Sequence, residues 1–165
     1  MARIFTAIRF DDEFKRELVA LQNALKGREV RGDYCSYGNL HMTLSFNFEN
    51  MHLLPKIRQA VSEIQFEPFT MTLDRLGMFP TKDGVIWAGV KETEPVTTIA
   101  NKLRERLDVY DIPYSPKPFY PHISLLRHPS EIITDINVPH ATVCVERINV
   151  MKSERIDGKL IYSEI

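Results

Sequence analysis

The sequence predicts an α+β fold of two similar lobes, and three observations carry that expectation. Stretches of period-two alternation, which mark half-buried strands, are interleaved with stretches of helical spacing. The order strand, helix, histidine-bearing strand occurs once in each half of the chain. The tail then adds further strands and a hairpin signal, which suits antiparallel sheets better than an alternating parallel α/β wheel.

Taken in order, residues 3–10 place Ile4, Thr6, Ile8 and Phe10 on one parity and Phe5, Ala7 and Arg9 on the other, as in a buried strand. Asp11 and Asp12 then offer capping oxygens, Phe14, Leu18, Leu21 and Leu25 recur at helical spacing, and Gly27 ends the run. After a loop with Gly32, Asp33 and Gly38, the segment Leu40-His41-Met42-Thr43-Leu44-Ser45-Phe46 alternates strictly and reads as a half-buried strand. A second helix is expected from about 54 to 64, with Pro55 in its first turn and Ile57, Ala60, Val61 and Ile64 as its apolar stripe.

In the second half Phe69, Met71 and Leu73 alternate with polar neighbours, and Val85-Ile86-Trp87-Ala88-Gly89-Val90 forms a further apolar strand. Pro95 opens a helix whose face is Val96, Ile99, Ala100, Leu103 and Leu107. Past the proline-rich Ser115-Pro116-Lys117-Pro118-Phe119 comes the second histidine strand, Pro121-His122-Ile123-Ser124-Leu125-Leu126-Arg127. The tail alternates around Val143, Val145 and Ile148, and Asp157-Gly158 signals a hairpin. No linker interrupts the chain, so residues 1–165 are expected to form one domain of two intertwined lobes.

Composition narrows the function classes. With 44% hydrophobic and 26% charged residues the chain has the balance of an ordinary globular protein. A net charge of −1 does not support a bulk electrostatic grip on long duplex nucleic acid, so any nucleic-acid contact must be local. Cys35 and Cys144 stand far apart without a C-x-x-C pair, which suits reduced thiols better than a disulfide or zinc framework, and no metal site is expected. The opening Met1-Ala2-Arg3-Ile4-Phe5 leads directly into a strand pattern without a signal-like apolar core, and no apolar run reaches spanning length. A cytoplasmic monomer with no membrane association is expected.

The chemistry resides in the histidines. Histidine, apolar, hydroxyl, leucine occurs twice, as His41-Met42-Thr43-Leu44 and His122-Ile123-Ser124-Leu125, where the chain's own residue frequencies give roughly a few hundredths of one such match. His140-Ala141-Thr142-Val143 fits a looser form, but His122 occupies in the second half the position that His41 occupies in the first. Strand residues two apart share a face, so each strand offers an imidazole and a hydroxyl together. In-line cleavage of a phosphodiester needs one group to deprotonate the nucleophile and another to protonate the leaving oxygen, and two imidazoles do both if their surroundings push the two pKa values apart. Hydroxyls suit the non-bridging oxygens, where charge builds. The bland alternative for each is a strand histidine satisfied by a nearby carbonyl. His52, His128 and His140 are read as surface, loop or structural residues.

These residues resemble the RNA 2',3'-cyclic phosphodiesterase (2'-5' RNA ligase) branch of the LigT-like two-histidine phosphoesterases. The likeness rests on the two motifs, on Arg3-Ile4-Phe5-Thr6-Ala7-Ile8, on Asn39-Leu40, on the strand from Val85 to Val90, on Phe119-Tyr120-Pro121 and on Met151-Lys152-Ser153-Glu154. It implies a bilobal, pseudo-twofold fold of two mainly antiparallel sheets, helices outside, with one histidine from each lobe in a central cleft. It also implies His41 as proton donor to the leaving 3' oxygen and His122 as proton acceptor from water, or the reverse, leaving a 2'-phosphate. Thr43, Ser124 and Arg127 would hold the phosphate, without cofactor or metal. Strict alternation puts Arg127 on the face of Ile123, so it reaches the phosphate only if the strand ends or bulges near Leu126. The family is also associated with ATP-independent joining of RNA ends by the same pair. Asn47-Phe48 stands where many relatives have Leu-Gly. Tyr34, Tyr37, Phe48, Phe79 and Phe119 are candidates to stack on a base, though each is also a candidate core residue. The expected partner is an RNA end or small nucleotide bearing a cyclic phosphate. Alternatives are an ADP-ribose cyclic phosphate or other cyclic nucleotide as substrate, or a non-catalytic module binding RNA ends or nucleotides.

Overall fold

A computed structural model describes residues 2–165. The elements run β1 (Arg3–Arg9), α1 (Asp12–Gly27), β2 (Asp33–Tyr34), β3 (His41–Phe46), α2 (Leu54–Ser62), β4 (Phe69–Phe79), β5 (Val85–Val90), α3 (Thr93–Val109), β6 (Ile123–Arg127), β7 (Thr142–Val145), β8 (Asn149–Ile156) and β9 (Lys159–Glu164). They form two antiparallel sheets, one of four strands in the order β3-β1-β8-β9 and one of five in the order β2-β6-β5-β4-β7. Apart from the short β2, the orders correspond. In each sheet a histidine strand lies beside the strand that precedes the first helix of its half, and two further strands follow, which gives the bilobal, pseudo-twofold α+β architecture.

Local chemistry accounts for most boundaries. Asp11 caps α1, its Oδ1 accepting from the Phe14 backbone N–H at 2.9 Å. Gly27 is the last helical residue, but the left-handed residue of the exit turn is Glu29, at φ 62°. Pro55 lies in the first turn of α2, which ends at Ser62, short of the expected Ile64. At the Asp157-Gly158 turn both residues have positive φ, 52° and 79°, as a two-residue hairpin between β8 and β9 requires. Gly77 is needed for space. A Cβ there would stand 2.4 Å from the Trp87 ring, which lies flat across the sheet at that point.

The helices tie the lobes together. α1 leaves the four-stranded sheet yet comes into contact with β6, and α3 leaves the five-stranded sheet yet contacts β3. Phe14, Leu18, Leu21 and Leu25 of α1, Ile99, Leu103 and Leu107 of α3, and the inward residues of both histidine strands therefore belong to one continuous apolar core. β3 and β6 approach each other between the sheets.

Because one core serves both lobes, Leu18→Ala is expected to cost about 2–5 kcal/mol. Urea unfolding followed by Trp87 fluorescence and by far-ultraviolet circular dichroism should shift together; separate midpoints would show that the lobes unfold independently.

Candidate active site

Strict alternation fails at the same place in both histidine strands. In β3, Thr43 pairs with Ala7 but Ser45 with Thr6, so Leu44 is an extra residue without a partner on β1. In β6, Ser124 pairs with Trp87 but Leu126 with Ile86, leaving Leu125 extra. Such a bulge shifts the parity of everything after it. In β3 it buries Ser45 (4% exposed) and turns Phe46 to the cleft, reversing the faces that alternation assigns them. In β6 it buries Leu125 and Leu126 together and puts Arg127, opposite Val85, on the face of Ser124. The condition under which Arg127 could reach the phosphate side is thus met, one residue before Leu126.

His41, Thr43, His122, Ser124 and Arg127 all line one cavity of about 780 Å³ between the lobes. His122 stands one residue before β6 rather than within it. The cavity continues past His41 into an arm of about 620 Å³ lined by Arg3, Phe5, Phe46, Arg155 and Tyr162. It continues past His122 into another of about 750 Å³, lined by Phe79, Phe119, Tyr120, Lys117 and Arg104.

Both imidazoles are oriented in the same way. His41 Nδ1 lies 2.6 Å from the Asn39 carbonyl oxygen and His122 Nδ1 lies 2.7 Å from that of Tyr120. A carbonyl only accepts, so each Nδ1 carries the proton and each Nε2 is left for chemistry. His41 Nε2 meets the Thr43 hydroxyl at 2.6 Å. Aromatic rings wall in both histidines. Phe5 and Tyr162 lie 4.9 and 5.1 Å from His41, and Phe79 lies 4.7 Å from His122.

Burial pushes the His41 imidazole down to about 4, the Asn39 carbonyl opposing it and the charges of Arg127 and His122 adding to it. His122 is lowered too, by burial and by Arg127, against the Tyr120 carbonyl. The pair is therefore not split around neutrality. Both rings are held neutral in the free protein, His41 further than its partner.

Other expectations resolve individually. His140 and His52 are exposed and line neither the cleft nor its arms. His128 is an exposed loop residue at φ 54°, yet it lines the cleft, its Nδ1 2.7 Å from Asp33 Oδ2. Tyr37 bonds Asp12 away from the cleft, and the half-buried Tyr34 gives its hydroxyl proton to the Val30 carbonyl. Tyr162, Asn39 and Arg155 are site residues that sequence patterning missed. Tyr162 comes from the far end of the chain, and Asn39 carries no signal in the sequence beyond its place in the resemblance. The Asn39 side chain donates to Leu160 O and accepts from Tyr162 N, at 2.8 and 3.1 Å, pinning β9 beside His41. Among the described residues no group of three His, Cys, Asp or Glu stands in metal-holding geometry, and no helix is long and apolar enough to cross a membrane.

A family model described as the 2'-5' RNA ligase superfamily matches residues 10–157. A protein of Archaeoglobus fulgidus named RNA 2',3'-cyclic phosphodiesterase is 34% identical over 64% of this chain, a match that spans 61% of that protein's length. One of the same name from Thermotoga maritima is 29% identical over 97% of this chain and 91% of its own. Among solved structures, Escherichia coli LigT, in its apo form and complexed with 3'-AMP, aligns at a TM-score of 0.83 with 25% identity, covering 99% of this chain and 94% of that one.

Proton NMR of the imidazoles should find His41 titrating near pH 4 and His122 below the ordinary 6.5, with inorganic phosphate moving both upward. Between 6.5 and about 4 the unfolded chain binds more protons at His41 than the folded one, so stability should fall as pH drops through that window. A His41 midpoint at 6.5 would show that the ring is solvated.

Proposed function

The chain belongs to the 2'-5' RNA ligase superfamily, and from that premise we propose that it is an RNA 2',3'-cyclic phosphodiesterase that opens the cyclic phosphate to a 2'-phosphate. The observation that carries this reading is that His41, His122, Thr43, Ser124 and Arg127 line a single cavity, each of the two motif imidazoles with its Nδ1 tied back to a backbone carbonyl, so that Nε2 is the nitrogen left for proton transfer, at His41 once the Thr43 hydroxyl turns from it to the phosphate. The names of the relatives and the crystallisation of E. coli LigT with 3'-AMP support the same substrate class.

In this mechanism the cyclic phosphate sits between the two Nε2 atoms. His122 takes a proton from water as its oxygen attacks phosphorus, and His41 gives a proton to the departing 3' oxygen. The ribose, which carries the leaving oxygen, then lies on the His41 side, and water enters from the His122 side. Arg127 pairs with a non-bridging oxygen by charge and fork geometry, while the Thr43 and Ser124 hydroxyls donate to the oxygens where charge accumulates. His41 is neutral in the free protein, so it takes up its second proton from solvent as the substrate binds. The phosphodiester anion offsets the charge of Arg127 and raises the imidazole pKa within the complex. A 5'-hydroxyl in place of water turns the same machinery to 2'-5' ligation. The reaction uses no metal or cofactor, and the enzyme works as a cytoplasmic monomer in which residues 1–165 act as one unit.

Replacing His41 or His122 by alanine should lower turnover of a cyclic-phosphate-ended oligonucleotide by roughly 10²–10⁴-fold, with chelator without effect. Wild-type rates in both variants would refute the pairing. A sulfur in the 3' bridging position leaves without protonation, so such a substrate should restore His41→Ala and not His122→Ala; the opposite rescue would exchange the two roles. A panel of RNA ends, cyclic mononucleotides and ADP-ribose cyclic phosphate, read by phosphorus NMR, ranks the substrates, and preference for an ADP-ribose derivative would move the enzyme out of RNA chemistry.

A further inference from the structure

Arg127 faces the cleft because β6 bulges at Leu125, and the carbonyl of that bulged residue accepts a hydrogen bond from a side chain that lines no part of the cleft. Gln22 sits on α1, buried to 4% exposure. Its Nε2 donates to the Cys35 carbonyl at 2.8 Å and to the Leu125 carbonyl at 2.9 Å. The Leu125 carbonyl also accepts the Cys35 backbone N–H at 2.9 Å, so Gln22 joins the bulged residue to the segment running beside it. Resting on the reading of Arg127 as a phosphate ligand, we propose that Gln22 is the positioning residue that aims Arg127 by stabilising the β6 bulge.

Two conformations compete for this strand. Regular pairing would restore a partner on β5 to Leu125 but would turn Arg127 to the face of Ile123, among wholly buried apolar side chains, where a guanidinium is costly. The bulge avoids that but takes Leu125 out of register with β5, and its carbonyl, turned to the other edge of β6, is held there by both the Cys35 N–H and the Gln22 amide. The Gln22 amide, with two N–H groups, supplies a donor to each of the two carbonyls involved.

The counterpart strand provides the contrast. At the matching bulge of β3, among the described residues, no side chain hydrogen-bonds the Leu44 backbone. The residue in the place of Arg127 there is Phe46, which packs on the apolar cluster of Phe5, Ala7 and Met151 and so fixes itself. A charged side chain reaching into solvent has no such packing, and its direction must be set through the backbone.

The test is a double-mutant cycle on Gln22→Met and Arg127→Ala, with inorganic phosphate as the probe and affinity read by phosphorus NMR. Each single variant should weaken phosphate binding roughly tenfold, and Gln22→Met should add less than about twofold in the Arg127→Ala background. Both single variants should also raise the His41 and His122 titration midpoints, since the Arg127 charge lowers both. Additive losses, or Gln22→Met with unshifted histidine midpoints, would overturn the proposal. Wild-type phosphate affinity in Arg127→Ala would instead remove the phosphate role on which the proposal rests. Gln22→Asn, one methylene too short to reach, is read in the same way if the methionine variant does not fold.

Discussion

Two hydrogen bonds of one form govern the cleft, His41 Nδ1–H to the Asn39 carbonyl and His122 Nδ1–H to that of Tyr120. Each reaches back two residues along its own chain, so each ring is oriented by the segment that leads into its strand. That choice settles the tautomer, points Nε2 into the gap and leaves the surrounding aromatic rings free to exclude water without taking up a ring nitrogen. Exclusion of water then depresses both imidazoles, so the free site is uncharged at these two histidines and its positive charge rests on Arg127, Arg155 and Lys159. An anionic substrate is what makes a protonated imidazole affordable there.

The likeness of the two lobes makes their differences readable. His41 matches His122, Thr43 matches Ser124 and the bulged Leu44 matches the bulged Leu125, but Phe46 stands where the other lobe has Arg127. One strand therefore ends in an apolar wall and the other in a cation. The aromatic surroundings also come from different places. His41 is flanked by Phe5 of the adjacent strand and Tyr162 of the last strand, and His122 by Phe79 of β4, two strands away, with Trp87 of the adjacent strand farther off. A pseudo-symmetric scaffold thus holds an asymmetric site, as suits a reaction in which one side of phosphorus gains a bond and the other loses one.

Much of this was legible in the residues. The alternation around His41 and His122 placed each imidazole with its hydroxyl, and the repeated order of elements gave the two lobes. Parity beyond the hydroxyl was not legible. Leu-Ser-Phe and Leu-Leu-Arg are compatible with regular pairing, and only the register against Thr6 and Ile86 shows the added residue. Tyr162 and Gln22 escaped for another reason. They act across 121 and 103 residues of sequence, on His41 and Leu125 respectively, and nothing local to either reveals it. The sequence requires only that the surroundings push the two pKa values apart; how deeply each ring is buried, the largest effect at both, depends on the packing of distant segments.

The crossing of α1 to β6 and of α3 to β3 makes each half of the chain dependent on the other for cover. A half-length chain would leave its own histidine strand bare underneath, because the helix that covers it comes from the other half. Cutting the chain between the lobes would therefore expose apolar faces on both sides rather than release two stable halves.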